Sequence, residues 1–255
     1  MEETERTKSA GPAGAGTAER KLAKKSVGVA KPPAAKRSRT ADRSKEVGTA
    51  GDRPYHHGNL REDLVRCGKQ QLSEVGLAEL SLRRIASSVG VSQVAPKHHF
   101  GNKEGLLAAI AASGFRDLAQ YRFSRLRPHM SAEQRLRTLL STYVAFATLH
   151  PTLFHLMFAP QFRSPQTHAE LNEAASQSYH TVYQAATDYL SEHGQTDEAK
   201  GHEVARIAWM CMHGVATLII ENRINPWGAP KVNREQLTNQ ALDLVFAGIR
   251  GVNGI

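Results

Sequence analysis

Between Ser81 and Lys103, hydroxyl, amide, imidazole, ammonium and guanidinium groups alternate with apolar residues in the run SLRRIASSVGVSQVAPKHHFGNK. Such groups hydrogen-bond to anionic and heteroaromatic partners, and none of them stands in a pattern for turnover. The chain has no glycine-rich phosphate loop, no GxSxG elbow, no HExxH and no paired-carboxylate helix. It therefore reads as a non-enzyme. His56, His57, His98 and His99 are the densest metal-type ligands, but their spacing is poor and neither cysteine nor paired carboxylate joins them. Neutral hydrogen-bonding imidazoles are the better reading, and no metal or other cofactor is expected.

The elements that must position these groups follow from spacing. Ser81 can N-cap a short helix on which Leu82, Ile85, Ala86 and Val89 recur at helical intervals. Gly90 stops it cheaply in a left-handed backbone. Val91 returns to the core, and Ser92 can cap a second short helix from Gln93 to about Phe100. Pro96 falls in its first turn, where a missing N–H costs little. Gly101 ends it, and Asn102 caps a third helix that Lys103 opens. Upstream, Asn59 caps a helix to about Val75, with Leu60, Leu64, Cys67 or Gly68, Gln71 or Leu72, and Val75 inward. Gly76 ends that helix, and Leu77 with Leu80 pins the next turn. Two short helices joined by a tight glycine turn fit the helix-turn-helix, whose second helix lies in the DNA major groove. A generic helical corner has the same spacing.

The balance of charge favours a polyanionic partner: 255 residues carry a net charge of +9 and a pI near 9.7. Before residue 55, Lys and Arg outnumber Asp and Glu 13 to 7, so this segment holds six of the nine net positive charges. It has almost no large apolar residues and should be disordered. Its patch Lys36, Arg37 and Arg39 fits either a flexible arm on DNA phosphates or a solubilising leader. The two cysteines, Cys67 and Cys211, sit in apolar helical patterns and read as buried, reduced thiols. No stretch approaches the roughly 18 apolar residues of a membrane span. The N-terminus is too polar for a signal peptide. A cytoplasmic protein without a membrane partner is expected.

The rest of the chain reads as a helical bundle. A helix from Lys103 to about Arg125 is broken by Pro128, and Ser131 with Gln134 forms a capping-box pattern. Leu136, Leu139, Leu140, Tyr143, Val144 and Ala147 then keep helical spacing to His150, and Pro151 opens a helix through Phe158. Further helices are expected near 166–193, 197–223 and 234–250. The second of these has two apolar stripes, and so does the third. A helix apolar on two sides needs two partners. Either a second copy meets the faces carrying Met212, Ala216, Ile220, Leu242, Phe246 and Ile249, in an isologous pair, or the chain's own helices cover them. Tyr143, Phe146, His150, Phe154, Met157, Phe158, Tyr179, Tyr183, Trp209, Met210 and His213 supply aromatic and sulfur-bearing side chains. They suit an ordinary core. They also suit a mostly apolar ligand site anchored by His213, His150 or tyrosine hydroxyls. His213-Gly214 would alternatively permit close helix packing, the imidazole bonding Trp209 or a backbone carbonyl.

The runs Tyr55-His56-His57-Gly58-Asn59-Leu60-Arg61, Gly76-Leu77, Ser81 to Ala86, Gly90-Val91-Ser92 and His99 to Leu106 resemble, in order and spacing, the N-terminal domain of TetR-type transcriptional regulators. Trp209 with His213-Gly214 resembles the Trp/His-Gly motif of one TetR C-terminal domain type. The resemblance implies an all-α fold, with a three-helix helix-turn-helix domain over 55–114 and a larger effector-binding and dimerisation domain over 115–255. Residues 1–54 would be the basic tail. It implies a sequence-specific DNA-binding regulator. In this view a homodimer represses from a pseudo-palindromic operator and is released by an unidentified small-molecule effector. The rival that composition allows is an architectural binder, indifferent to sequence, working through the tail.

By the same resemblance Gln93, Val94, Ala95 and Lys97 would face bases, and Ser92 and His98 would be DNA-binding as well. Gln can pair with adenine, Lys can donate to guanine, and Ala or Val can touch a thymine methyl. Arg83 would reach a base edge or a phosphate. Ser81, His99 and Lys103 fit phosphates, the last also at a helix N-terminus. Lys97 departs from the family, which usually has an aromatic residue there. Lysine keeps a phosphate contact and loses the stacking body, so the role of position 97 is open.

Overall fold

The computed structural model describes residues 59–162, 167–225 and 230–254. The basic tail, the Tyr55-His56-His57-Gly58 run and Pro165 lie outside them. Among the described residues there are helices and no strands: α1 (Leu60–Glu79), α2 (Leu82–Val89), α3 (Ala95–Phe100), α4 (Lys103–Arg125), α5 (Ala132–Leu149), α6 (Pro151–Met157), α7 (Ala169–Glu192), α8 (Glu198–Ile220) and α9 (Arg234–Asn253).

Local chemistry explains most boundaries. Gly76 sits at φ +77° and kinks α1 where the helix was expected to stop. Leu80 is buried after the kink, whereas Leu77 is left on the surface. Gly90 takes the left-handed region at φ +79°, and Val91 N–H closes back on the Ala86 carbonyl at 3.0 Å. Asn102 caps α4 by accepting from Gly105 N–H at 2.8 Å. Ser131 and Gln134 form the reciprocal capping box of α5. Three expected caps are not made. Asn59 donates its amide to Glu62 instead, and the Ser81 hydroxyl bonds no backbone N–H. Ser92 does not start α3, which begins at Ala95 rather than Gln93. Pro96 has no N–H, and Lys97 N–H bonds Val94 rather than Gln93, so Gln93 and Val94 stay in the turn.

The first four helices share a core of Leu64, Leu72, Leu80, Ile85, Leu106 and Ile110. Gly68 lets α1 and α4 approach closely there, since a Cβ would lie 2.6 Å from the end of the Ile110 side chain. Residue 114, the expected domain boundary, falls inside α4, and the buried residues before and after it belong to one continuous core. Beyond the corner, helices α4, α5, α7 and α8 pack together, with α9 on α5 and α8.

The two apolar stripes of α8 and α9 are placed opposite to the expectation. Met212, Ala216, Leu242, Phe246 and Ile249 are buried within the chain and Ile220 is half-buried, so these residues are not the free face. The helical turn that carries Ala208, Met212 and Ala216 inward instead leaves Ile207, Cys211, Gly214 and Leu218 outward on α8, with Leu244 and Val252 outward on α9. Cys211 is thus exposed rather than buried, and Cys67 is half-buried. Gly214 meets nothing within 4 Å, so it serves no close packing inside the chain. One expectation about length also changes: by length and composition α8 is apolar enough to cross a membrane, with mean hydropathy 1.3. Its inward stripe is instead packed in the bundle.

Gly105 lies in the first turn of α4, directly after the α2–α3 corner. A Cβ there would stand 2.0 Å from the Phe100 carbonyl oxygen, which is fixed backbone. Gly105→Ala should therefore lower urea-unfolding stability by the upper end of roughly 1–3 kcal/mol. Gly251→Ala, with nothing within 4 Å, should be neutral or gain up to about 1 kcal/mol.

Candidate nucleic-acid interface and ligand cavity

Helices α2 and α3 meet at the Gly90 turn and present one polar surface. Arg83, Ser92, Gln93, Val94, Lys97, His98, His99 and Lys103 are exposed on it, and Ser81 and Ala95 are half-buried. Val94 is notable at 55% exposure for an aliphatic residue. Pro96 points the other way, into the core. A shallow depression runs along Ser81, Arg83, Arg84, Ser87 and Ser88 on α2. Arg84 is thus a second exposed guanidinium that motif matching passed over, although it stands beside Arg83. The Arg61 guanidinium lies over the Phe100 ring at 5.3 Å and holds the end of α3 against α1. The surface offers cationic and amide donors with no carboxylate between Arg83 and Asn102.

A cavity of about 750 Å³ lies between α4, α5, α7 and α8, with Phe158 at the end of α6 on its wall. Of the expected pocket residues Tyr143, Phe158, Tyr179 and Trp209 line it. The others do not. Phe146, Phe154 and Met157 are buried in the core beside it. Tyr183 stacks on His202 with centroids 4.0 Å apart, and His213 sits behind Tyr143. His150 is exposed at the end of α5, against Phe146. Met210 is one residue round the helix from Trp209 and is 58% exposed. The helical period separates what a list of aromatics groups together.

The same cavity is lined by residues that the aromatic list omitted: Phe115 and Arg122 from α4, Ser178 and Val182 from α7, His202 and Arg206 from α8. Arg122 is the unusual one. It is only 3% exposed. Its Nη1 donates to the Ser178 carbonyl at 3.2 Å and hydroxyl at 3.0 Å. Its guanidinium carbon lies 5.5 Å from the Tyr143 ring centre. Burial lowers its pKa to about 10, with Tyr143 pulling the other way, so it stays charged at neutral pH. A sequence signal for it exists: Phe115, Leu118 and Arg122 share one face of α4, so a cation stands on an apolar stripe.

Comparison with known proteins places these features. Residues 64–110 match the family model described as bacterial regulatory proteins, tetR family, and residues 136–245 match the one described as tetracyclin repressor-like, C-terminal domain. The chain belongs to the TetR family. Its matched corner is 38% identical over 60 residues to the HTH-type transcriptional regulator BetI of Stenotrophomonas maltophilia, covering 24% of this chain and 31% of that protein. The chain thus matches about a third of the length of that relative. A Rhodococcus sp. RHA1 protein of unknown function is similar over 78% of this chain and 98% of its own, at 29% identity and TM-score 0.64. A TetR variant from Acinetobacter baumannii AYE in complex with minocycline shares the fold, at 18% identity and TM-score 0.54, covering 74% and 96%.

In this TetR-family chain the cavity wall and the reading corner are tied by polar contacts. Glu170, in the first turn of α7, accepts from Arg61 of α1 and from Arg116 of α4, the latter at 3.0 Å. Burial alone would raise its carboxyl pKa, but the two guanidinium bonds hold it below the ordinary range. His168 pairs with Glu104 at 3.0 Å, and Lys69 with Asp117. Half-exposed pairs of this kind contribute about 0–1 kcal/mol each, so they orient α1 and α4 against α7 more than they stabilise.

Tyr143 and His213 meet beside Trp209. Tyr143 Oη lies 2.7 Å from His213 Nδ1, and the Trp209 ring centroid is 5.6 Å from that of His213. Burial pushes the tyrosine pKa far up, opposed by Trp209 and Arg122, so the hydroxyl keeps its proton and can donate it to the imidazole. Desolvation lowers the His213 pKa, which keeps the ring neutral and able to accept. The unfolded chain therefore takes up the proton first as pH falls past about 6.5. This contribution to stability is complete above that pH and declines below it. Thermal melts from pH 7.5 to 5 should show a smaller acid loss for His213→Asn than for the parent.

Proposed function

We propose that this regulator is a homodimeric repressor that binds a pseudo-palindromic operator and is released by a small-molecule effector, acting in the cytoplasm and catalysing no reaction. The observation that carries the reading is that one helix serves both ends: α4 starts at the corner with Asn102 and Lys103 and reaches the cavity at Phe115 and Arg122. A ligand that prefers one placement of α4 would thereby bias the corner, as differential affinity for two states requires. The minocycline complex of a TetR relative supports an effector in this fold.

Dimerisation is supported by the open faces of α8 and α9. Ile207, Leu218, Leu244 and Val252 are exposed there, the last at 79%. Between them an apolar groove is lined by Val204, Cys211, Ala241, Val245 and Gly248 among others. Contiguous exposed apolar surface of this kind marks an association face. A second copy seated on it would set two α3 helices at a fixed separation, and successive major grooves require about 34–36 Å. The two-domain division near residue 114 belongs to this reading, with α4 bridging the halves.

Selection of bound sequences from a random duplex pool tests the whole, using the chain with and without residues before Tyr55. A repressor of this kind should enrich one inverted repeat in both cases. An architectural binder would lose most affinity with the tail and enrich nothing. On the enriched site, Lys97→Ala or Arg83→Ala should weaken binding by about 5- to 150-fold if it removes a base contact. Ile207→Asp with Leu244→Asp should convert a dimer to a monomer in light scattering and abolish tight operator binding. A wild-type monomer, or full affinity in that variant, would refute the dimer.

A further inference from the structure

Arg122 is a buried cation whose countercharge is missing from the described residues. The cavity it lines has no acidic side chain on its wall, but a second guanidinium, Arg206, and two imidazoles, His180 and His202. A buried charge is normally paired or neutralised. Here Ser178 takes only Nη1, and the buried Nε has no hydrogen-bond partner. The guanidinium edge that carries Nε also carries Nη2, and this is the edge that takes a carboxylate in two parallel bonds. The rest of the cavity wall includes apolar and aromatic side chains, Phe115, Phe158, Val182 and Trp209.

Building on the effector reading above, we infer that the cavity binds an amphipathic carboxylic acid, its carboxylate on Arg122 and its alkyl or aryl body against the aromatic wall. Arg206, exposed at the margin, adds positive potential without being buried. A neutral apolar molecule would fill the same space but leave the guanidinium edge unsatisfied. A cationic one would add repulsion to that defect. The discrimination expected is that of a site built for a charged partner, where removing the partner group costs far more than removing a methylene.

The test is calorimetric titration of the full chain with four probes: dodecanoate, 6-phenylhexanoate, dodecan-1-ol and dodecylammonium. The carboxylates should bind at least tenfold tighter than the alcohol, and the ammonium compound should not bind. Arg122→Met should erase the preference for acid over alcohol while melting no lower than the parent, because it removes an unmatched buried charge. Arg122→Lys keeps the charge without the two-bond edge and should fall between. Alcohol binding as tight as the acid, a preference that survives in Arg122→Met, or no binding by either carboxylate would overturn the inference. A separate measurement distinguishes the underlying reading: the binding acid is added to the protein on its selected operator. Release supports both. Arg122-dependent binding without any change in operator affinity would leave the site standing and sink the effector-released repressor.

Discussion

The fold depends on the burial of the first half of α4 on nearly every side. From Leu106 to Ala112 every residue is buried, and Gly114, Phe115, Leu118 and Arg122 follow. A stretch of helix apolar all round must lie inside something, and here α1 and α3 pack on α4 from the corner while α5, α6 and α7 pack on it from the bundle. Ile110 serves the corner core, where Gly68 gives it room. Gly114 serves the bundle, where a Cβ would lie 2.8 Å from Met157 Sδ. The run of alanines keeps the helix thin enough for α1, α6 and α7 to approach it together.

Shared burial has a mechanical consequence. Packed interiors are close to crystalline in density and transmit displacement rather than absorb it. From Lys103 to Arg122 the rise of the helix is about 28 Å. A tilt of about 3° over that length moves the far end by about 1.5 Å, half the length of a hydrogen bond. The pairs Arg61–Glu170–Arg116 and His168–Glu104 cross between α7 and the corner. They set the angle from which such a tilt would be measured. In the repressor reading this makes ligand-induced release a matter of small rotations, with no need for unfolding.

Much of this was legible in residue spacing. The breaks at Gly76, Gly90 and Gly101, the caps at Asn102 and Ser131, and the end of α4 at Arg125 all rest on local backbone chemistry that a sequence displays directly. The start of α3 was read two residues early because a serine looked like a cap while Pro96 and the Val94 carbonyl decided the bonding. The faces of α8 were inverted for a different reason. Both stripes are apolar, and hydrophobicity says that a face wants cover without saying which neighbour supplies it. Met212 and Ala216 are covered within the chain, while Ile207 and Leu218 are not. The cavity was half legible: aromatics announced Tyr143 and Trp209, but the search for aromatics passed over a cation, Arg122, in the same wall.

A charged residue on an apolar stripe carries a desolvation cost. A guanidinium at 3% exposure has given up most of its hydration, and two bonds to Ser178 with a flank against Tyr143 return only part of it. A well-packed apolar residue of similar size would serve the fold alone at least as well. The network around it points the same way. Tyr143 and His213 satisfy one another, so these two polar groups beside the cavity are internally matched. Matched groups rigidify a wall, and an unmatched group in a rigid wall discriminates, because it cannot relax toward a ligand that lacks its complement. The position of Arg122 near the C-terminal end of α4, the helix whose first turn abuts α3, then puts the discriminating charge on the same rigid element as the reading corner.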